Sequence, residues 1–285
     1  MSAPRSALDE LSRELGAPRL RLLMRVVPPG LYAGRARMLL VRSSLASRNV
    51  WLALVSGFVE PLLYLAAMGQ GLGSLVGTVV GPAGQHLSYP AFLAPGLLAA
   101  SAMNGAVYDS TFNVFFKLKY AKLYDAMLAT PLGPMDIALG EIGWALIRGG
   151  MYSAGFLAIM FGIGLISTPW ALLALPAGLF VAFAFASVGL TAASFMRSWQ
   201  DFDLVVLAIL PMFLFSATFF PLSVYPLALQ RLVQAFPLYH AVTLMRDLTT
   251  GVVGWSLLGH LAYFGVMAAV GVVVAARRLK FLLLR

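Results

Sequence analysis

Apolar residues run through this chain in six stretches, separated by shorter polar or broken segments. The stretches fall at about Val50–Leu72, Pro90–Phe116, Ile142–Ile166, Trp170–Met196, Leu204–Phe220 and Trp255–Ala276. All but the fifth reach the ~20 residues that an α-helix needs to cross a hydrocarbon core. The fifth, 17 residues long, covers roughly 25 Å at 1.5 Å per residue and falls just short. The pattern predicts an all-α integral membrane protein with six transmembrane helices.

The segments between the spans differ in kind. Residues 1–18 are polar and carry Asp9, Glu10 and Glu14, as a loose or partly helical tail would. Between 19 and 48, arginines alternate with Leu, Met and Val, and Pro28-Pro29-Gly30 divides the region. Its second half, Leu31–Arg48, with Arg35, Arg37 and Arg42, has the periodicity of a basic amphipathic helix lying on a membrane surface. The tail does not have the form of a signal peptide, because the first long apolar run begins only near Val50. Residues 73–89 are rich in Gly and Ser without Lys or Arg and are expected as an external loop. Ser167-Thr168-Pro169 makes a short external turn, and Arg197, Asp201 and Asp203 mark a short internal one. Residues 221–254 are apolar but punctuated by Pro221, Pro226 and Pro237. They are expected to form two short re-entrant helices on the external side, tolerated where they pack on protein.

Composition places this pattern in lipid. Of 285 residues, 60% are hydrophobic and only 11% charged, against about 25% charged in a soluble domain. The net charge of +9 sits at the ends of the spans and gives no reason to expect nucleic acid. Seventeen of the 20 Lys and Arg fall in the flanks that would face the cytoplasm: nine before the first span, three in the central segment, one after the fourth span and four at the end. Arg231 and Arg246 fall outside, and Arg148 lies within the third span. The positive-inside rule then puts both termini in the cytoplasm, in a multi-pass protein of the cytoplasmic membrane. The organisation expected is a tail and surface helix over 1–48, followed by a six-span domain over 49–285. The chain has no cysteine, and its histidines, His86, His240 and His260, are far apart in sequence. No metal motif and no cofactor is expected.

Candidate chemistry is sparse. There is no GxxxxGK[ST], GxSxG, HExxH or Gly-rich dinucleotide fingerprint. Asp201 and Asp203 suit a solvated helix start better than a catalytic pair. Glu60, followed by Pro61, lies near the middle of the first span, where a carboxylate costs about 2.5–3.5 kcal/mol on insertion scales and must face other helices or water. Arg148 is the second intramembrane charge, and pairing it with Glu60 requires a bent or tilted helix. In the second span Ser101, Asn104, Tyr108 and Thr111 fall on one face of a regular helix, as groups that glue helices or line a path. No broken-helix repeat of the kind found in secondary transporters is visible.

The central segment Lys117–Glu141, KLKYAKLYDAMLATPLGPMDIALGE, is the polar stretch between the second and third spans. Leu118, Leu123, Met127 and Leu128 recur near helical spacing, with Lys119, Lys122 and Asp125 among them. Such a short amphipathic helix can insert into a groove on a partner or lie on lipid headgroups.

Phe112–Gly149, FNVFFKLKYAKLYDAMLATPLGPMDIALGEIGWALIRG, resembles the corresponding region of the ABC-2 type permeases, and among them the nodulation and daunorubicin-resistance export permeases. Pro237-Leu238-Tyr239-His240 followed by Arg246 is similar to the end of that family's signature, and Phe220-Pro221 before it also fits. The resemblance covers nearly the whole chain. It implies two six-span permeases, identical or related, with two ABC ATPase subunits that hydrolyse ATP on separate chains. It makes Tyr120–Thr130 a coupling helix seated in a cleft of the ATPase, through Tyr120, Lys122, Leu123, Tyr124, Asp125, Met127 and Leu128. It makes Leu31–Arg48 an interface helix and Pro221–His240 the external re-entrant cap. The cargo it implies is amphipathic drugs, lipids or lipid-linked saccharides, moved outward between two copies along the first, second and fifth spans. Glu60, Asn104, Tyr108 and Arg148 are the candidate polar groups of that route. The chain itself is then not an enzyme. Rival readings are a gradient-driven carrier working through Glu60, and a membrane enzyme acting on lipid-linked substrates through Asp201 and Asp203. A passive channel has no selectivity loop or charged ring in its favour.

Overall fold

The structure is a computed structural model that describes residues 35–47, 51–166 and 168–283. The tail over 1–18 and the leading part of the expected surface helix lie outside the described residues. Among the described residues, four helices are long and apolar enough to cross a membrane: Tyr89–Lys119, Pro134–Gly162, Pro169–Phe195 and Ser256–Leu282.

Numbered in chain order, α1 is Ala36–Ser47. α2 is Trp51–Ala66, prolonged by a π segment at Ala67–Leu72 and a last turn at Gly73–Val76. Two short strands come next, β1 at Thr78–Val80 and β2 at His86–Ser88, paired antiparallel with Val79 opposite Leu87. The expected external loop 73–89 therefore has structure of its own. The alternation in this stretch is only three residues deep, too short to stand out in the sequence. α3 is Tyr89–Lys119 and contains a π turn at Asp109–Asn113. α4 is the short Leu123–Leu128, and α5 is Pro134–Gly162. α6 is Pro169–Phe195, with a 3-10 lead at Pro169–Leu173, and α7 is Phe202–Phe215. α8 is Leu227–Ala235, α9 is Pro237–Thr250 and α10 is Ser256–Leu283.

Proline and glycine set most boundaries. Pro134 stands in the first turn of α5, where a missing N–H costs nothing, so the Pro-Leu-Gly-Pro break starts the helix. The third apolar helix thus begins well before the expected Ile142, and the arm expected over 117–141 narrows to the turn and short helix between α3 and α5. α7 ends at Phe215, short of the expected Phe220, because the chain turns through Ala217 at a positive φ of 56°. Arg277, Arg278 and Lys280 do not stop the last helix, which continues through them to Leu283. Their long stems allow charged heads to reach the headgroups from a continuing helix. The broken 221–254 segment does hold two helices, α8 and α9, joined at Phe236-Pro237.

α6 lies at the centre, packed against α3, α5 and α10, while α9 packs on α3 and α1 on α5. Small residues let these backbones approach, which is how helices associate where lipid removes the hydrophobic drive. A Cβ at Gly149 of α5 would stand 3.0 Å from the Ala182 Cβ of α6, and one at Gly189 of α6 would strike Ser110 Oγ of α3. Leu93, Leu97, Met103, Ile142, Phe156 and Phe264 fill the core between them.

α2 and α7 sit at the periphery. The outward side of α2 combines Glu60, Ala66, Ala67 and Gln70, all exposed on the single chain. α7 touches mainly its own preceding turn and α9. Aromatic rings pin both of its ends, Phe202 at one and Phe213 with Tyr64 and Phe219 at the other.

Candidate functional site

The central arm is an anchored bracket. Lys122 adopts a left-handed φ of 44° and turns the chain from α3 into α4. The helix then presents two sides. Tyr124 and Met127 are buried, with Leu123 and Leu128 partly so, while Lys122, Asp125, Ala126 and Ala129 are exposed. Of the expected coupling residues, Tyr120, Lys122 and Asp125 face outward, and Tyr124 and Met127 hold the arm down.

Tyr124 Oη and Glu141 Oε1 are both buried and lack a partner at hydrogen-bonding distance. Burial first, and then the Glu141 charge, push the Tyr124 phenol well above its ordinary range. The other carboxylate oxygen of Glu141, Oε2, pairs with Lys117 Nζ at 2.6 Å. That ion pair joins the end of α3 to the start of α5, so the arm leaves and returns from two points tied together.

A second ion pair lies deeper. Arg148 Nη1 of α5 meets Asp109 Oδ1 of α3 at 2.9 Å, and Asn113 donates its amide to the same carboxylate. Asp109, Asn113 and Lys117 recur at helical spacing along α3 and face Glu141 and Arg148 on α5, forming a polar ladder down one helix seam. Arg148 therefore does not pair with Glu60, which is exposed on α2. Asp109 was not among the residues expected to act. Its signal is legible in retrospect as the one carboxylate of the second span, opposite in sign to the one basic charge within the third.

The π turn that carries Asp109 also breaks up the expected polar stripe. An inserted residue rotates the part of the helix that follows it, and Thr111 within the turn is buried; ahead of the turn Ser101 is also buried, whereas Tyr108 is 57% exposed and stacked on Phe112. Ser101 and Thr111 donate to the carbonyls of Leu97 and Val107 in their own helix, and Asn104 is half-buried.

Rings join the arm to α7. Trp199, in the turn between α6 and α7, lies 5.4 Å from Tyr120, 5.5 Å from Phe115, 5.1 Å from Phe112 and 5.4 Å from Phe202. Each such pair contributes about 0.5–1.5 kcal/mol beyond burial. The turn is itself locked by Asp201, whose carboxylate accepts the Arg197 and Ser198 N–H groups at 2.6 and 3.2 Å. Those bonds hold the Asp201 carboxyl below its ordinary pKa.

α1 docks on the return leg of the arm. Asp136 accepts the Gly133 N–H at 2.9 Å and the Arg35 N–H at 2.8 Å, and Arg35 Nη1 donates to Pro131 O at 3.0 Å. Leu39 is buried against Gly140, and Met38, Val41 and Leu45 form an exposed apolar strip bordered by the exposed Arg37 and Arg42. A helix with one side on protein and an apolar strip between arginines suits the headgroup boundary.

At the other end, Arg246 is a buried clasp. It donates to Phe92 O through Nε at 3.3 Å and Nη2 at 3.2 Å, and to Ala217 O at 2.9 Å, with its guanidinium 3.8 Å above the Phe92 ring. It thereby fixes α9, the start of α3 and the break after α7. Pro221 and Pro237 start the helical turns on either side of α8. His240, far from His260 in sequence, lies 2.8 Å from it, nitrogen to nitrogen, and stacks on Tyr263. His86 is apart in β2, and among the described residues no group of three or more potential metal ligands gathers.

A central bracket fixed between two helices, a docked N-terminal helix and a buried arginine clasp span the region that matches the ABC-2 type transporter family, residues 35–249. The chain belongs to the ABC-2 type transporter family. Its relatives include nodulation protein J of Rhizobium leguminosarum bv. trifolii, 34% identical over 74% of this chain and 79% of that protein. Nodulation protein J of Rhizobium meliloti is 32% identical over 74% of this chain and 79% of its own length. The protein of the same name from Azorhizobium caulinodans is 30% identical and covers 84% of this chain and 94% of itself. This ABC-2 chain is thus a membrane transport component of the ABC type, and its matched region runs from the start of α1 to the end of α9.

Proposed function

We propose that this chain is the permease of an ATP-driven exporter, and that the arm around α4 is where separate ATPase subunits, two per transporter, engage it. The observation that carries this reading is the two-sided arm. Its outer side offers Tyr120, Lys122, Asp125, Ala126 and Ala129, shallow enough to enter a cleft on a partner. Its inner side is held by Tyr124 and Met127, its base by the Lys117–Glu141 pair, and its flank by the Trp199 rings.

A push on such an arm is not absorbed locally. The ion pair delivers it to α3 and α5 together. The ring cluster delivers it to the base of α7, a short apolar helix held mainly by its own preceding turn and α9. Pro131 and Pro134 restrict backbone freedom on the return leg.

Export of amphipathic drugs, lipids or lipid-linked saccharides between two copies, or between this chain and a related permease, is the transport reaction proposed. The outward side of α2 supports a second permease. Glu60 and Gln70 are unsuited to lipid, and Ala66 and Ala67 allow another helix to approach closely. The six-span arrangement with both termini inside, and α8–α9 as an external cap, belong to the same proposal. Location in the cytoplasmic membrane rests on the basic flanks.

The test is co-purification of ABC ATPase subunits co-expressed with this chain, comparing wild type with Asp125→Arg and Ala126→Arg. Wild type should retain the ATPase and the variants should release it or leave its turnover indifferent to cargo. Equal retention and coupling in all three would remove the arm from the interface.

A further inference from the structure

A cavity of about 580 Å³ lies between α7 and the α3–α6 wall, in the size range of small-ligand pockets. Val107, Phe185, Val188, Ala192, Val205 and Ala208 make it apolar, and it is open on one side. It exists because α7 is pinned by rings at its two ends and stands off α6 between them. Hydrocarbon from the bilayer fills such a space, since a void of this size does not persist in a close-packed interior.

The mouth of the cavity selects the headgroup. That end bears Arg197, Asp201 and Phe195. The Arg278 guanidinium lies over the Phe195 ring at 4.5 Å, and its Nε is buried without a hydrogen-bond partner. Asp201 is the acidic group there, and its carboxylate is already taken up by the Arg197 and Ser198 N–H groups and by Ser198 Oγ at 3.4 Å. Arg197 thus stands in the mouth beside an engaged carboxylate, and Arg278 stands next to it against the Phe195 ring of the same rim.

We infer that this cavity is a binding site for an anionic phospholipid of the leaflet at the basic end of the bundle, with one acyl chain behind α7 and the phosphate against Arg197 and Arg278. A phosphate accepts from planar guanidinium forks, which is the chemistry Arg provides best. The acyl chain gains little from the wall that other lipid would not offer, so charge sets the preference. The site lies behind α7 and does not depend on which cargo the transporter carries. An occupied site would splint α7 at its unsupported middle.

The experiment is delipidation of the purified full-length chain, then native mass spectrometry with equimolar phosphatidylglycerol and phosphatidylcholine. Wild type is expected to retain phosphatidylglycerol preferentially. Each of Arg197→Gln and Arg278→Gln should cut that preference about fivefold, from roughly 1 kcal/mol per basic residue at an anionic headgroup. Ala192→Trp, which fills the cavity and keeps both arginines, should lower retention of phosphatidylglycerol while the tryptophan emission of the folded protein persists. Equal retention of the two lipids by wild type, an unchanged preference in the double arginine variant, or undiminished binding in a folded Ala192→Trp protein would each overturn the assignment.

Discussion

Replacing Arg148 by Met should be far more damaging than replacing Arg148 and Asp109 together. The Asp109 side chain is 2% exposed and depends on Arg148 Nη1 at 2.9 Å for its countercharge, with Asn113 as its other partner. Arg148→Met strands that carboxylate, and loss of one member of a buried pair costs about 3–5 kcal/mol. The Arg148 side chain retains 16% exposure, which places the expected loss near the lower figure, roughly a hundredfold in the folded population. The double variant Asp109→Leu with Arg148→Met removes the desolvation cost of both charges and should recover most of the loss. Titration of the purified protein with dodecyl sulfate in mixed micelles, read through the emission of its 5 tryptophans, measures the cycle. A coupling energy above ~2 kcal/mol is expected. A single variant within ~1 kcal/mol of wild type, or a double variant as weak as the sum of the singles, would refute the claim that these two charges hold α3 and α5 in register.

Trp199→Ala removes four ring contacts and should cost about 2 kcal/mol, with ATP hydrolysis by the assembled transporter continuing while vesicle uptake of cargo falls; Trp199→Phe should restore uptake. Because burial and Glu141 raise the Tyr124 pKa, the folded state favours the neutral phenol. Its contribution is complete below the unfolded value of ~10 and is lost as pH rises beyond it. Tyr124→Phe should therefore lose less stability than wild type between pH ~10 and ~11, read as the difference between the two dodecyl sulfate midpoints. Gly140→Val puts a Cβ 2.6 Å from the Leu39 Cβ, an overpacking that costs about 1–3 kcal/mol and should lift α1 from α5, exposing α1 to limited proteolysis.

Much of this architecture is legible in the chain because hydrophobic length and proline position act locally. The second, fourth and sixth apolar stretches match α3, α6 and α10 closely at the helix starts. The Pro-Leu-Gly-Pro break marks a real boundary, although Pro134 opens a helix there. The features that escaped the sequence depend on how helices face one another. The π turn at Asp109–Asn113 leaves no periodic mark, yet it carries Asp109 to Arg148 and holds Thr111 buried next to an exposed Tyr108. Tyr124, taken from the sequence as a coupling residue, is buried because the arm folds back on Glu141, a contact between α4 and α5 that linear spacing does not contain. Trp199 belongs to a short turn whose importance lies in the rings around it, contributed by separate segments of the chain. The His240–His260 approach is of the same kind.

The absence of cysteine makes one measurement on the arm direct. A single cysteine at Ala126, on the exposed side of α4, would be crosslinked to the ATPase subunits in assembled membranes with a short bifunctional reagent, with a cysteine at the exposed Ala235 of α8 as control. A crosslinked permease–ATPase species is expected at Ala126, changing in yield between ATP-bound and nucleotide-free states, and none at Ala235. A crosslink to ATPase at Ala235, or none at Ala126 in a complex that still hydrolyses ATP, would contradict the assignment of this arm as the coupling element.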